Sequence, residues 1–322
     1  MNTILKRIPI PMAGLSLGLA ALGNLLAAHS EGLRLLCGGL SLVVWLAVVI
    51  KLILMPQTLR RDLQNPIIAS VSGTIFMTAM QLAVYAKPFL GAAAFLFWLA
   101  AVSGHALLIV WFTQRFFRRF ALKNVFPTFF ITYVGIVVAA VTAPAFGMEA
   151  FGRIVLAFGF VCYLLLFILV SLRYAKHPIP LAARPLFCIY TAPLSLCLTA
   201  YLAVTAAPSP KLAIALGIGA QLLYLLVLLR LPRLLHLPFY PSYAAFTFPF
   251  VISATGLTNL LQLLSETGFS IAWPLHLLAA LETLIAIGLV GYALVRYIKH
   301  LSCGLHDDMP EWLYDECRWC CT

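Results

Sequence analysis

Apolar stretches of about 20 residues recur along this chain from one end to the other, and that repetition limits the fold more than any other feature. A helix rises 1.5 Å per residue, so each stretch can cross ~30 Å of hydrocarbon. Backbone N–H and C=O groups in hydrocarbon must be satisfied inside the protein, which favours helices for runs of this length. The composition agrees. Of 322 residues, 63% are hydrophobic and 10% are charged, against about 25% charged in soluble domains. The chain is read as an all-α polytopic membrane protein with ten spans, near 9–29, 33–55, 66–86, 88–112, 127–147, 149–172, 185–206, 210–229, 241–265 and 271–297. Lys6 and Arg7 before the first run mimic a signal peptide. Pro9 and Pro11 interrupt that run and no small-residue cleavage site stands out, so the first span is expected to remain. Residues 1–300 form one membrane domain in this reading and 301–322 a cytoplasmic, cysteine-rich tail.

A net charge of +11 would suggest nucleic acid in a soluble protein, but here its distribution carries the information. With both termini cytoplasmic, 17 of the 21 Lys and Arg fall on the inner side, leaving Arg34, Lys87, Arg153 and Lys211 outside. Such a bias marks the cytoplasmic face. It points to a multi-pass protein of the cell membrane, with no nucleic acid partner. Cys37, Cys162, Cys188 and Cys197 lie in apolar spans and read as small core residues.

The prolines reveal a repeat. Pro11, Pro66, Pro127, Pro185 and Pro241 open alternate spans at intervals of 55, 61, 58 and 56 residues. Proline suits a first helical turn. Prolines often flank membrane helices, yet near-even spacing argues for five helical hairpins, each with a short outer turn and a basic inner loop. A second helix breaker follows each opening proline by seven or eight residues: Gly18, Gly73, Gly135, Pro193 and Pro249. These predict a bend at matched depth in every first helix, with Pro249 clashing with the carbonyl of Ala245 in a continuous helix. Bent membrane helices persist where neighbours or a cavity satisfy the freed backbone groups. The first helices carry no Asp, Glu, Lys, Arg or His and are rich in Ser and Thr. An inner ring of five bent helices around a central pore, with their partners outside, is the economical arrangement. Hydroxyls alone do not prove a pore, because they also glue helices together.

Charged exceptions sit on the second helices. Glu282 is the one acidic residue deep in a span, either a proton-coupling site or a structural group, and its place on an outer helix favours the structural role. His105 reads as an interhelical hydrogen-bond partner rather than a proton relay. In the tail, Cys303 with His306 and Cys317 with Cys320 have zinc-ligand types and spacing. The segment is short, terminal and broken by Cys321, so a surface tail is expected, with no metal and no cofactor. No nucleotide-binding glycine loop, His-Glu-x-x-His motif or intramembrane carboxylate pair occurs, and no enzyme is expected.

The stretches "GLSLGLAALGN", "TAPLSLCLTAYLA" and, most specifically, "FTFPFVISATG" resemble the tellurite-resistance/dicarboxylate transporter family, which includes TehA-like proteins, yeast malate permeases and plant slow anion channels. The likeness covers the chain to about residue 300. It implies a homotrimer with one pore per protomer through five inner helices, blocked at mid-membrane by Phe248. Pro193 matches as a kink in the seventh span. Ser16 stands where relatives often bend with proline, and Gly73 replaces a mid-helix proline. Small inorganic or carboxylate anions are the implied cargo: passive conduction is the leading expectation, and proton-coupled C4-dicarboxylate transport the alternative. Without the resemblance, the three phenylalanines would read as core packing.

Overall fold

The computed structural model describes residues 2–118 and 120–303. The described residues form helices and their connections. We label α1 (Met12–Leu26), α2 (Glu31–Leu54), α3 (Gly73–Leu90), α4 (Ala92–Phe112), a broken helical segment α5 (129–146), α6 (Glu149–Lys176), α7 (Ala192–Val204), α8 (Pro210–Leu228), α9 (Phe248–Glu266) and α10 (Trp273–Cys303). Eight helical stretches are long and apolar enough to cross a membrane, while Met12–Leu26 and Gly135–Phe146 are apolar but shorter. Short helices Asn2–Arg7 and Pro56–Asp62 precede α1 and follow α2.

Burial divides the helices into two sets. The most apolar windows of Pro66–Leu90, Leu181–Val204 and Pro241–Glu266 are 72%, 78% and 83% buried. Those of α2, α4, α6, α8 and α10 are each 28% buried. Helices apolar on every side but mostly uncovered by protein suit a lipid surround.

Contacts among the first helices close a cycle: α1 packs on α3, α3 on α5, α5 on α7, α7 on α9, and α9 on α1. Each second helix packs on its own partner and also reaches the next first helix, α10 returning to α1. The hydroxyls of the first helices hold this cycle together. Ser70 donates to Thr128 Oγ1 at 2.7 Å, Thr78 lies 3.2 Å from the Ala13 carbonyl, and the Ser195 and Ser253 hydroxyls are 3.1 Å apart. Ser16 bonds outward to Ser41 of α2.

Two expectations about the bends are corrected. Pro193 and Pro249 do not kink a continuous helix. Each stands in the first turn of a new α-helix, after 3-10 segments Leu181–Thr191 and Pro241–Phe246. There the missing N–H costs nothing, because the first four N–H groups of a helix have no intrahelical acceptor. The Ala245 clash is thereby avoided. Gly18 does not break its helix, since α1 runs from Met12 to Leu26 without a restart. Gly73 does mark a restart, after the short helix Pro66–Val71, and Gly135 opens a 3-10 stretch within α5.

The third span extends to Leu90 with Pro88 inside it, beyond the expected end at 86, and α4 begins at 92 rather than 88. Gly91, at φ +51°, is the stop, a conformation that side chains with a Cβ rarely adopt. Cys37, Cys162, Cys188 and Cys197 are free thiols. His306, Cys317 and Cys320 lie outside the described residues, as does the side chain of Cys303.

Candidate functional site: a basic vestibule ending at Phe248

A cavity of about 810 Å³ enters the cycle of first helices from one end. Exposed Lys6 and Arg61 and half-buried Arg7 stand at its mouth, with buried Lys51 just inside. Its inner limit is set by one or two residues from each first helix: Leu17 of α1, Met77 of α3, Val134 and Gly135 of α5, Pro193 and Leu196 of α7, and Phe248 and Pro249 of α9. No residue further along these helices lines it. The lining thus passes from cationic at the mouth to apolar at the deep end.

The α9 break sets Phe248 at that limit. Thr247 joins the 3-10 segment to α9 at φ −101°, ψ −94°. Its hydroxyl lies 2.7 Å from the Ala244 carbonyl and 3.0 Å from Gly14 O of α1, so its single proton can tie the joint to the neighbouring helix. Gly18 packs against the same joint, and the absence of a side chain there permits the approach. Phe248 itself is 6% exposed. Phe246 and Phe250 are fully covered, on Tyr243 and Tyr224 respectively, and neither lines the cavity. Of the three rings in "FTFPF", Phe248 alone reaches it.

The other predicted residues divide plainly. Pro249, Pro193 and Gly135 line the cavity; Gly18 and Gly73 do not. Among the Ser and Thr of α1, α3, α5, α7 and α9, Thr74 lines it, and that hydroxyl donates to Val71 O just before its own helix. His105 is buried outside the cavity, with Nε2 2.9 Å from the Thr132 carbonyl. A carbonyl can only accept, so Nε2 carries the proton, leaving Nδ1 without a partner. Its ring lies against Gly73 and Gly135, the breaks in α3 and α5. Glu282 is 1% exposed on α10, its carboxyl beside the Gln221 side chain of α8. Tyr224 of α8, whose hydroxyl lacks a partner, is close enough to sense its charge.

Lys51 is the residue that sequence reasoning passed over. It sits in the last turn of α2, an outer helix, whereas the sequence drew attention to the charge-free first helices. In the fold it is 5% exposed, lines the cavity, and donates to Ile8 O at 2.5 Å and to Lys6 O at 3.5 Å. The carbonyls are available because the N-terminal helix stops at Arg7 before Pro9. That helix stop was legible; its position over Lys51 was not.

No curated protein matches the chain. The family model described as "voltage-dependent anion channel" (SLAC1) matches residues 7–298. That interval holds every residue that lines the vestibule except Lys6 and His300. By that match over nearly its whole length, the chain belongs to the voltage-dependent anion channel family.

Proposed function

We propose that the chain conducts small anions along the centre of its five first helices, through a path closed at mid-depth by the Phe248 ring. The observation that carries this reading is the vestibule, which begins among Lys6, Arg7, Lys51 and Arg61 and stops at Phe248. A hydrophobic constriction gates by excluding water and hydrated ions. Past Lys51 the first helices offer no charge until their far ends, where Lys87 and Glu266 stand. An anion drawn in by the basic mouth therefore meets no deep well, as release requires. In this reading ten spans form five hairpins, three copies assemble, and the basic end faces the cytoplasm of a cell membrane. Catalysis has no part in it, in keeping with a family of anion channels.

One observation favours a second reading, secondary transport of C4-dicarboxylates such as malate. Lys51 supplies the vestibule with the fixed cation that a carboxylate seeks. Tellurite resistance could follow from either activity. A planar bilayer with chloride or nitrate as the only anion separates them: ohmic current supports the channel, and proton-dependent malate flux without such current supports the transporter.

The direct test is Phe248→Ala. It removes most of the ring while the α9 restart, set by Thr247 and Pro249, stays. Anion current should rise strongly, and Phe248→Leu should give an intermediate rise. Phe246→Ala should instead lower stability by ~3–5 kcal/mol, the usual cost of truncating a buried Phe, with little gain in current. Wild-type-sized currents from folded, inserted Phe248→Ala would sink the gate.

A further inference from the structure

We infer that the vestibule contains an anion site centred on the Lys51 ammonium, at which a small inorganic or carboxylate anion and the Asp62 carboxylate compete, so that anion binding and protonation of Asp62 favour each other. The inference rests on the vestibule being an anion route, and it names the group that receives the anion and the group that regulates its affinity.

The Lys51 ammonium has three donors. Ile8 O and Lys6 O take two, which fixes its position, and the third has no hydrogen-bond partner among the described residues. This is a buried, pre-positioned cation with one donor unused, on the wall of a cavity large enough for a hydrated oxyanion or a short dicarboxylate. Such a group draws a negative partner, because a charge removed from water is costly when left unpaired.

Asp62 ends the short helix Pro56–Asp62, half-buried, and is the one acidic residue lining the cavity. The other charged side chains and the histidine lining the cavity come from several elements: Lys6 and Arg7 from the N-terminal helix, Lys51 from α2, Arg61 from the helix of Asp62, and His300 from α10. Among the described residues no cation lies within 4.0 Å of its carboxylate. Asp62 therefore acts on Lys51 through its field rather than through an ion pair, and both residues line the cavity that would admit the anion. Burial pushes its carboxyl up from the ordinary value of 3.8, and Lys51 and Arg61 oppose that rise only in part. The proton thus goes on above the pH at which a free Asp takes one. A neutral Asp62 leaves Lys51 uncompensated and the site more attractive to an anion. By linkage, a bound anion must strengthen the Asp62 proton by the same factor.

The test uses the full chain in detergent, with nitrate and sulfate as probes because neither titrates in the range used. Anion-dependent stabilisation gives the apparent affinity, measured at pH ~7.5 and pH ~5.5, a window above the reference carboxylate range. Wild type should bind more tightly at the lower pH, by up to about 5-fold, the direction set by the raised Asp62 carboxyl. Asp62→Asn should bind tightly at both values, Lys51→Gln should lose the binding, and Lys51→Arg should keep it. Wild-type affinity in Lys51→Gln, or wild-type pH dependence in Asp62→Asn, would overturn the site. Should Lys51→Gln fail to fold, Asp62→Asn and Lys51→Arg still decide the matter. Bilayer currents from Phe248→Ala keep the two ideas apart. Current there with unchanged binding in Lys51→Gln removes this site alone. No current, with binding lost in Lys51→Gln, removes the conduction reading and leaves the site.

Discussion

At Gly18 a single hydrogen makes room for the joint of another helix. A Cβ on that residue would lie 2.5 Å from Thr247 Cβ and 3.0 Å from Phe248 N. The second neighbour is backbone and cannot swing aside, so α9 would have to move at the point that carries the ring. Overpacking of this kind costs ~1–3 kcal/mol. Gly18→Ala is expected to lower stability by about that amount and to change the leak current measured in the same preparation. Gly39→Ala is the control, because nothing lies within 4 Å of a Cβ there and alanine is the better helix former by about 1 kcal/mol. If Gly18→Ala matched Gly39→Ala in melting and in current, the joint would not be held by this contact.

At the scale of elements, the charged residues of the second helices have separate roles. Lys51 faces the cavity, His105 ties α4 to the broken α5, and Glu282 is buried away from the path. A charge at the centre of a spanning helix costs about 2.5–3.5 kcal/mol on insertion scales, and Glu282 has only the Gln221 side chain beside it to offset that cost. Glu282→Gln keeps the shape and removes that charge. Its current is expected to stay within about twofold of the parent's, with stability unchanged or higher, as when a buried charge is exchanged for a neutral isostere. Abolished transport in a normally assembled Glu282→Gln protein would instead favour the proton-coupled reading.

For the whole molecule, the cycle of first helices is complete once α9 meets α1, and α10 closes the outer layer against both. The family match ends at residue 298. A chain ending at Cys303 retains His300 at the mouth and every helix described above, so it is expected to fold, insert and conduct like the full chain. The comparison should be repeated with added zinc. A zinc response in the full chain that disappears on Cys317→Ser with Cys320→Ser would show that the tail regulates the domain.

The sequence by itself determined the helical class and marked out the first helices, three of which are the most buried spans. Each follows from local chemistry: apolar length against membrane thickness, proline at a helix start, and the exclusion of charge from a packed interior. It also singled out "FTFPF", because a proline among aromatic residues is a local event. What it misjudged were the consequences of neighbours. Proline looked like a kink because the 3-10 turn that lets α9 restart at Phe248 is held by Gly14 of another helix. Gly18 looked like a bend because the Thr247 contact that demands a glycine comes from far along the chain. The hydroxyls looked like a lining, yet those that hydrogen-bond across the cycle spend themselves on helix contacts. Lys51 looked peripheral because its carbonyl partners belong to a segment more than forty residues earlier. Only the tertiary structure decides which face of a helix meets a cavity, since that depends on how helices rotate against one another, and periodicity in a uniformly apolar sequence does not record it.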